Sequence, residues 1–168
     1  MNNAVPLLGR CWRHLTMTRW RLRRAFPETT LRSITDSVLN NEQTHGGEIR
    51  VAIEADLSLQ QLLSGITVRQ RAVEVFAALG VWDTADRNGV LIYLCLADRA
   101  VEVIVDRALQ VAVSDAQWAE VGAQLQRDCA VGQYQLGLCA AITTVGRLIG
   151  GHYPLADRNE QPDRPLLL

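Results

Sequence analysis

The sequence predicts an α/β fold in which helices cover both faces of a small mixed β-sheet, as in an α/β/α sandwich. Apolar residues recur at helical spacing in several segments between residues 27 and 151. Shorter segments alternate between apolar and polar residues or are continuously apolar, as strands are. One helical segment separates the first two strands, which implies a parallel crossover. The predicted order is α, β, α, β, β, α, α, with at least three strands in the sheet.

The first helix of this domain is predicted to open at Pro27 and to end at Gly46-Gly47, because proline suits the first helical turn and glycine the residue after the last. Its apolar residues recur at helical spacing: Leu31, Ile34, Val38 and Leu39. The strand that follows, residues 48–54, presents alternate side chains to its two faces. One face carries Ile49, Val51 and Ile53, and the other carries Glu48, Arg50, Ala52 and Glu54.

The crossover helix begins at a capping box, Thr67 with Gln70 three residues later, and Gly80 ends it. Residues 90–96 are continuously apolar, which predicts a strand buried on both faces. Asp98-Arg99 predicts a two-residue turn into an antiparallel partner strand. The alternating residues of that partner are Val101, Val103 and Val105.

Two helices complete the domain. A second capping box, Ser114 with Gln117, opens the first of them, and the last ends at Gly150-Gly151 after an apolar stripe. From Leu155 onward, prolines and charges predict a flexible tail. The predicted organisation is therefore a basic amphipathic arm over residues 1–26, one α/β domain over 27–154 and a flexible tail over 155–168.

The N-terminal arm differs in charge from the rest of the chain. The net charge is −1, and all 18 acidic residues follow residue 27. The arm has no acid and carries Arg10, Arg13, Arg19, Arg21, Arg23 and Arg24, interleaved with tryptophan and leucine. Two interpretations lead: an interfacial helix on anionic lipid, or a helix docked on the domain with its arginines in solvent. Nucleic-acid binding is a third option, for which aromatic interleaving alone is weak evidence. We expect the arm to contact an anionic membrane surface or a protein complex, and not nucleic acid.

Other features narrow the class of protein. No apolar run reaches the roughly 18 residues of a membrane-spanning helix, and the N-terminus lacks a signal-peptide pattern. The cysteines have no CxxC spacing, so we expect buried free thiols in a reducing compartment. These features predict a cytoplasmic protein with peripheral contact at the inner membrane. The alternative is a mitochondrial-type transit peptide over Met1 to Phe26, a stretch that is rich in arginine and free of acids. The sequence shows no nucleophile elbow, phosphate loop or dinucleotide fingerprint.

Strand direction predicts which acidic residues meet. If residues 48–54 and 90–97 are parallel strands, both begin at the same end of the sheet, and the antiparallel partner finishes there. We name this end the first rim, and its predicted members are Glu48, Asp83, Asp86, Asn88 and Asp106, with Asp106 opposite Leu91. Such oxygen ligands suit Ca²⁺ or Mg²⁺. The alternative is that the aspartates and Asn88 serve only as turn and cap residues.

The opposite end of the sheet, the second rim, is the second choice for a cation. Its acids are Glu54, Asp56 and Asp98. Arg99 follows Asp98 directly, so it either neutralises that carboxylate or shapes the turn. The first rim is therefore preferred.

Four segments resemble the TPM domain, which thylakoid-lumen acid phosphatases of photosystem II repair share with many bacterial proteins. These segments are THGGEIRVAIE, TVRQRAVEVFAALGVWDTADRNGVLIYL, ADRAVEVIVDRAL and VGQYQLGLCAAITTV. The resemblance covers about residues 28–154 and is strongest to short bacterial members that lack a signal peptide. It implies an α/β/α sandwich and divalent cation binding, with Ca²⁺ in some members. It also implies a phosphatase activity that is attributed to some members.

The resemblance marks two sets of positions in this chain. The family-motif residues are Asn88, Gly89, Asp98 and Arg99. Asp83 and Asp106 are typical of the closer bacterial relatives. The chain departs from those relatives at Ala108, where many have glycine, and at Cys129-Ala130, where an aromatic residue is common. We expect these departures to alter site geometry and helix packing and not the fold.

Two functions follow from these observations. In the first, Ca²⁺ or Mg²⁺ at the first rim polarises a phosphoryl oxygen and activates water, which makes the domain a weak metal-dependent phosphatase. Its expected catalytic residues are Asp83, Asp106 and Arg99, with Arg50 or Arg99 holding the phosphate. In the second, the domain binds the cation without catalysis, and the arm recruits it to a membrane surface or a partner complex.

Overall fold

The computed structural model describes residues 7–154 and 161–168. Over these residues the helices are α1 Leu7–Thr16, α2 Arg19–Ala25, α3 Glu28–Glu42, α4 Leu59–Leu63, α5 Val68–Ala78, α6 Arg107–Ala112, α7 Asp115–Ala130 and α8 Tyr134–Gly150. The strands are β1 Glu48–Glu54, β2 Gly89–Cys95, β3 Ala100–Val105 and β4 Leu166–Leu167.

The strands form one mixed sheet in the order β3-β2-β1-β4. β1 and β2 are parallel, with Glu48 beside Gly89 and Glu54 beside Cys95. α4 and α5 make the crossover between them, and α5 begins at the predicted capping box of Thr67 and Gln70. β2 and β3 form the antiparallel hairpin. The predicted α/β sandwich with a mixed sheet is confirmed.

Helices cover both faces of the sheet. α3, α7 and α8 pack on the face that carries Ile49, Val51 and Ile53 of β1. α4 and α5 pack on the other face, against Leu91 and Tyr93 of β2. Successive side chains of a strand point to opposite faces, so a strand covered on both sides is largely apolar, and any polar side chain on it needs a partner. β2 is buried at all seven residues and carries no charged side chain, whereas the equally buried β1 carries Glu54, which is paired with Arg71.

The hairpin turn is longer than the sequence predicted. Cys95 pairs with Ala100, so residues 96–99 form the turn. Arg99 has a φ of 51°, in the left-handed region. Asp106 consequently lies opposite Gly89, to whose carbonyl its N–H donates at 2.9 Å. The predicted partner, Leu91, was wrong by two residues because the turn was taken to contain two residues instead of four.

The outer edge of β3 is partly capped by a side chain of α7. Among the described residues, no strand lies beyond β3. Gln126 Oε1 accepts a hydrogen bond from Val101 N–H at 3.0 Å, and Gln126 Nε2 donates to the Arg99 carbonyl. The carboxamide thus bonds to the strand backbone as a peptide group of a neighbouring strand would.

Besides the arm helices α1 and α2, three elements were absent from the predicted order: α4, α6 and β4. Short elements leave too few residues for periodicity to show. β4 lies in the segment predicted as a flexible tail, and it pairs with β1 in parallel at Ala52 and Ile53. Leu168 extends this contact by donating its N–H to the Ile53 carbonyl at 2.9 Å.

The N-terminal arm forms α1 and α2, which both contact the domain. Leu22 and Phe26 belong to the main core, and His14 is buried. Trp12 and Trp20 remain exposed. The inner side of the arm agrees with the docked interpretation, while its outer side stays open to solvent. In the part of the chain that the structure describes, no helix has the length and apolar character needed to cross a membrane.

Candidate functional site

The first rim gathers the five predicted residues at one end of the sheet. The starts of β1 and β2 meet the end of β3 there, because β3 runs antiparallel to β2. Glu48 begins β1, the loop of residues 83–88 precedes β2, and Asp106 follows β3. Ala108 N–H donates to the Arg87 carbonyl at 3.3 Å, so this loop contacts the start of α6.

One carboxylate oxygen of Asp106 accepts a hydrogen bond, and the other does not. Asp106 is the N-cap residue of α6, and its Oδ1 accepts from Arg107 N–H at 2.6 Å. Its Oδ2 is buried and has no hydrogen-bond partner among the described residues. A buried charged oxygen without a partner is energetically costly. This atom is therefore available to a ligand that supplies positive charge.

Asn88 and Gly89 fix the backbone where the loop enters β2. Asn88 is buried, its Nδ2 donates to the Gly46 carbonyl at 2.8 Å, and its N–H donates to Thr84 Oγ1 at 3.1 Å. A Cβ on Gly89 would lie 2.0 Å from the Val81 carbonyl oxygen, so no larger residue fits there. These two family-motif residues have clear structural roles, and the side chain of Asn88 tethers the loop to Gly46 instead of capping a local turn.

The remaining carboxylates of the first rim differ in exposure. Asp83 and Asp86 are exposed, and neither forms an ion pair with the described part of the chain. Glu48 is buried, and its Oε2 accepts from Gln161 N–H at 3.2 Å. Over residues 7–154 and 161–168, no three carboxylates of this rim bring ligand atoms within 4.8 Å of one another. The rim therefore presents spaced oxygen atoms and not a closed cage.

At the second rim, the structure brings together three potential metal ligands that the sequence did not group. One ligand atom each from His14, Cys95 and Asp98 lies within 4.8 Å of the others. Asp98 also contacts two arginines of α1. Arg10 Nη2 lies 2.7 Å from its Oδ2, and Arg13 Nη2 lies 3.4 Å from its Oδ1.

The chemistry of this group does not fit a metal centre. His14 Nδ1 accepts a hydrogen bond from Leu57 N–H at 2.8 Å, so the ring proton resides on Nε2, which lies 3.2 Å from Asp98 Oδ1. A protonated Nε2 cannot ligate a metal. Burial also raises the pKa of the Cys95 thiol to about 12, so the thiol is protonated when no metal is bound. The Arg10 guanidinium already supplies the positive charge beside Asp98.

Asp98 is instead the centre of an ion-pair network. Its side chain is largely buried, and burial alone would raise its pKa. The side chains of His14 and Arg10 outweigh that effect and hold the pKa of Asp98 well below its usual range. Asp98 therefore stays ionised and links the hairpin turn to α1.

The other second-choice acids are not brought together with Asp98. Glu54 accepts from Arg71 Nη2 at 2.8 Å and also from the Tyr93 hydroxyl. Hydrogen bonding to Glu54 raises the pKa of Arg71, and burial raises that of Tyr93. Asp56 is exposed. Glu54 and Asp98 are thus each paired with arginine, while Asp56 is exposed within electrostatic range of His14 and Glu54.

Within the described residues, neither of the two arginines predicted to hold phosphate forms an ion pair with Asp83 or Asp106. Arg99 is exposed in the hairpin turn, separated from Asp106 by the whole of β3, roughly 20 Å of strand. Arg50 is buried within β1, where its Nη1 donates to the Pro162 carbonyl and burial lowers its pKa. The structure thus separates the predicted catalytic set. The exposed arginines of the first rim are Arg87 and Arg107.

Sequence reasoning missed the residues that neutralise Asp98. Arg10 and His14 are one helical turn apart in the arm, so they share a face of α1 with Cys11, which packs against the domain. That spacing is the one signal that could have indicated a polar contact surface. It could not have indicated the partner, which follows 84 residues after His14.

Comparisons with known proteins agree with this architecture. The sequence model of the TPM domain matches residues 23–148. Among solved structures, the NMR structure of the BA42 protein from the psychrophilic bacterium Bizionia argentinensis superposes with a TM-score of 0.74 at 27% identity, over 83% of this chain and 93% of that one. No curated protein matches the sequence. Since the family model covers most of the chain and the fold agrees, this chain belongs to the TPM domain family.

Proposed function

We propose that this TPM domain binds a divalent cation, Ca²⁺ or Mg²⁺, at the first rim. The observation that carries the proposal is the buried Asp106 Oδ2, which lacks a partner among the described residues. The exposed carboxylates of Asp83 and Asp86 belong to the loop that contacts the start of α6. Hard cations prefer oxygen ligands and keep several waters, so an open arrangement suits them.

The carboxylates of the first rim fit this role better than the Asp98 network does. Asp83, Asp86 and Asp106 form no ion pair with the described residues, whereas Asp98 contacts Arg10, Arg13 and His14. Glu48 would support the site from the protein interior, because its buried carboxylate accepts a hydrogen bond from Gln161. Asn88 would hold the loop in place through its amide nitrogen.

The first experiment is a titration of the full chain with CaCl₂ and with MgCl₂, followed residue by residue by NMR and by calorimetry. We expect saturable binding with a Kd of roughly 10⁻⁴–10⁻³ M, as in open oxygen sites, and the largest shifts in residues 83–88 and 105–108. Asp106→Asn and Asp83→Asn should each weaken binding at least about tenfold. Asn is as good an N-cap as Asp, so the first variant keeps α6 intact.

The matched control is Asp56→Asn, which removes an exposed carboxylate from the second rim. It should leave the affinity unchanged. Absence of saturable binding, or equal affinity for wild type and Asp106→Asn, would overturn the proposal. Shifts centred on residues 95–99 would also contradict it, because they would move the site to the Asp98 network.

The second candidate function is slow hydrolysis of phosphate monoesters, the activity after which the family model is named. The exposed guanidinium groups of Arg87 and Arg107 beside the carboxylates favour it, since arginine binds phosphate oxygens in a bidentate manner. A cation bound there would supply Lewis-acid stabilisation of phosphoryl charge. Asp83 would accept a proton from water, and the two arginines would orient the ester.

Hydrolysis is tested with p-nitrophenyl phosphate and the purified full chain, in CaCl₂, in MgCl₂ and in EDTA. We expect cation-dependent turnover that Asp83→Asn abolishes and that Arg107→Gln weakens mainly through KM. Arg99→Gln is the control, because that arginine lies at the other rim, and it should have no effect. Turnover that persists in Asp83→Asn would indicate a contaminating enzyme and exclude this activity, while leaving the cation proposal to its own titration.

A further inference from the structure

The outer face of α1 presents large apolar side chains to solvent. Leu8, Trp12 and Leu15 follow one another at helical spacing, and their exposed fractions are 84%, 69% and 68%. Trp20 of α2 is exposed by 65%. We call these four residues the outer stripe. Single exposed apolar residues are common, but a run of this size along one helix marks an interaction surface.

The opposite face of α1 is held against the domain, so the outer stripe is a fixed surface. Arg10 and His14 lie on the inner face, where Arg10 contacts Asp98 and His14 accepts from Leu57 N–H. Arg10 Nη1 also donates to the Ile66 carbonyl at 2.8 Å. These contacts determine which side of the helix faces outward. The helix therefore cannot rotate to bury Trp12 without breaking them.

The charged residues of α1 and α2 themselves are all basic. Exposed arginines flank Trp20 in α2: Arg19, Arg21, Arg23 and Arg24. None of the four forms an ion pair within the described part of the chain, and residues 7–27 contain no acid. Arg24 lies over the ring of Trp20, 5.4 Å from its centroid. Arginine beside tryptophan is the combination found where protein meets the headgroup layer of a membrane.

We propose that the outer stripe docks on the surface of an anionic lipid bilayer, with its apolar side chains in the interfacial layer and the arginines of α2 against the headgroups. Each arginine near an anionic surface strengthens the binding to the membrane, and the buried apolar area strengthens it further. The leucines of the outer stripe favour lipid over nucleic acid as the partner. Bases stack on aromatic rings, so base stacking does not explain the exposed Leu8 and Leu15. This docking is independent of cation binding at the first rim.

The experiment is co-sedimentation of the full chain with vesicles in EDTA, so that cation bridging cannot contribute. Vesicles of equimolar phosphatidylcholine and phosphatidylglycerol are compared with vesicles of phosphatidylcholine alone. We expect binding to the anionic vesicles and little to the neutral ones, a blue shift of tryptophan emission, and weakening by added salt. The double variant Trp12→Ser/Leu15→Ser should lower the partition coefficient at least about tenfold.

Two further variants make the test specific. Leu63→Ser removes a leucine of α4 that is equally exposed, and it should leave vesicle binding unchanged. Arg21→Glu/Arg23→Glu should abolish the preference for anionic lipid while circular dichroism stays that of the wild type. No binding to anionic vesicles at low salt, or equal binding by the Trp12→Ser/Leu15→Ser variant, would overturn the proposal. Dimerisation without lipid that this variant abolishes would also overturn it, because the stripe would then be a contact between copies of the chain.

Discussion

Arg10 Nη2 lies 2.7 Å from Asp98 Oδ2, although 88 residues separate the two along the chain. This contact joins α1 to the turn of the β2–β3 hairpin. His14 adds a second link, because it lies beside Asp98 and accepts a hydrogen bond from Leu57 N–H. The family-motif acid thus positions the N-terminal arm, and its charge is already neutralised by protein groups.

Replacing Asp98 by asparagine should lower the free energy of unfolding by roughly 2–4 kcal/mol, because Arg10 would remain partly buried beside a neutral amide. Urea denaturation followed by circular dichroism measures the loss. The control is Asp56→Asn at the same rim, which is exposed and should change stability by less than about 0.5 kcal/mol. Equal stability of Asp98→Asn and the wild type would show that the network contributes nothing.

The same carboxylate predicts how stability changes in acid. Its pKa in the folded state lies well below the value of about 3.9 for an unfolded aspartate, so its contribution is complete above that value. The contribution is lost as the pH falls below about 4 toward the folded pKa. We expect the wild type to lose stability more steeply than Asp98→Asn between about pH 5 and pH 2. Parallel curves for the two proteins would contradict the assigned pKa direction.

Glu42 titrates in the opposite sense. Burial raises its pKa to about 9, so the folded protein keeps a proton that an unfolded glutamate, with a pKa of about 4.3, has lost. The contribution of Glu42 to the free energy of unfolding is present below about pH 4 and is lost as the pH rises to 9. Glu42→Gln keeps an oxygen acceptor for Ile49 N–H, which bonds Glu42 Oε1 at 2.9 Å.

We therefore expect Glu42→Gln to be more stable than the wild type at pH 9. The slope of its free energy of unfolding against pH should differ from the wild-type slope by at most about 1.4 kcal/mol per pH unit, which corresponds to one bound proton. Denaturation at several pH values measures this difference. Glu120→Gln, on the exposed surface of α7, is the control and should follow the wild type. A Glu42→Gln protein that is destabilised at every pH would contradict the prediction.

Two substitutions of Asp106 should change the stability of the protein by different amounts. Asp106→Ala removes the N-cap of α6 and should cost about 1 kcal/mol. Asp106→Asn keeps a side-chain acceptor for Arg107 N–H and should be close to the wild type in stability without cation. Thermal denaturation of both variants in EDTA measures these costs. If Asp106→Asn were as unstable as Asp106→Ala, the carboxylate charge and not the cap would explain its role.

Gln126→Leu should expose the edge of β3 to other chains. The substitution removes the bonds to Val101 N–H and to the Arg99 carbonyl, which leaves strand backbone groups unpaired. We expect association that grows with protein concentration, measured by light scattering after size exclusion. Gln124→Leu adds the same apolar group elsewhere on α7 and should stay monodisperse. Identical behaviour of the two variants would mean that added hydrophobicity, and not the strand edge, causes association.

Strand directions and the two packed faces could be predicted because alternation and continuous apolar runs are local signals. The same signals placed Glu48 and Asp106 at one rim. The partner of Asp106 along β2 could not be predicted, because it depends on the length of the hairpin turn. Residues 96–97 are apolar, so they read as a continuation of β2.

The partners of Asp98 could not be predicted for a different reason. Its neighbours belong to α1, and nothing in the spacing of Arg10 and His14 specifies which loop the helix packs against. The burial of Glu42 could not be predicted for the same reason. Glu42 follows an apolar stripe on α3, and only the assembled core places its Oε1 against Ile49 N–H. Long-range contacts of this kind leave no periodic trace in the sequence.

The position of β4 also determines when the sheet can be completed in the cell. Of the described strands, β1 is the first to leave the ribosome, and its outer neighbour, residues 166–167, is the last. Until those leucines emerge, β1 of the nascent chain has an unpaired edge beside the partly assembled core. An open edge invites pairing with other chains. Premature termination shortly before Leu166 should therefore yield a folded but aggregation-prone protein, even though almost the whole core is present.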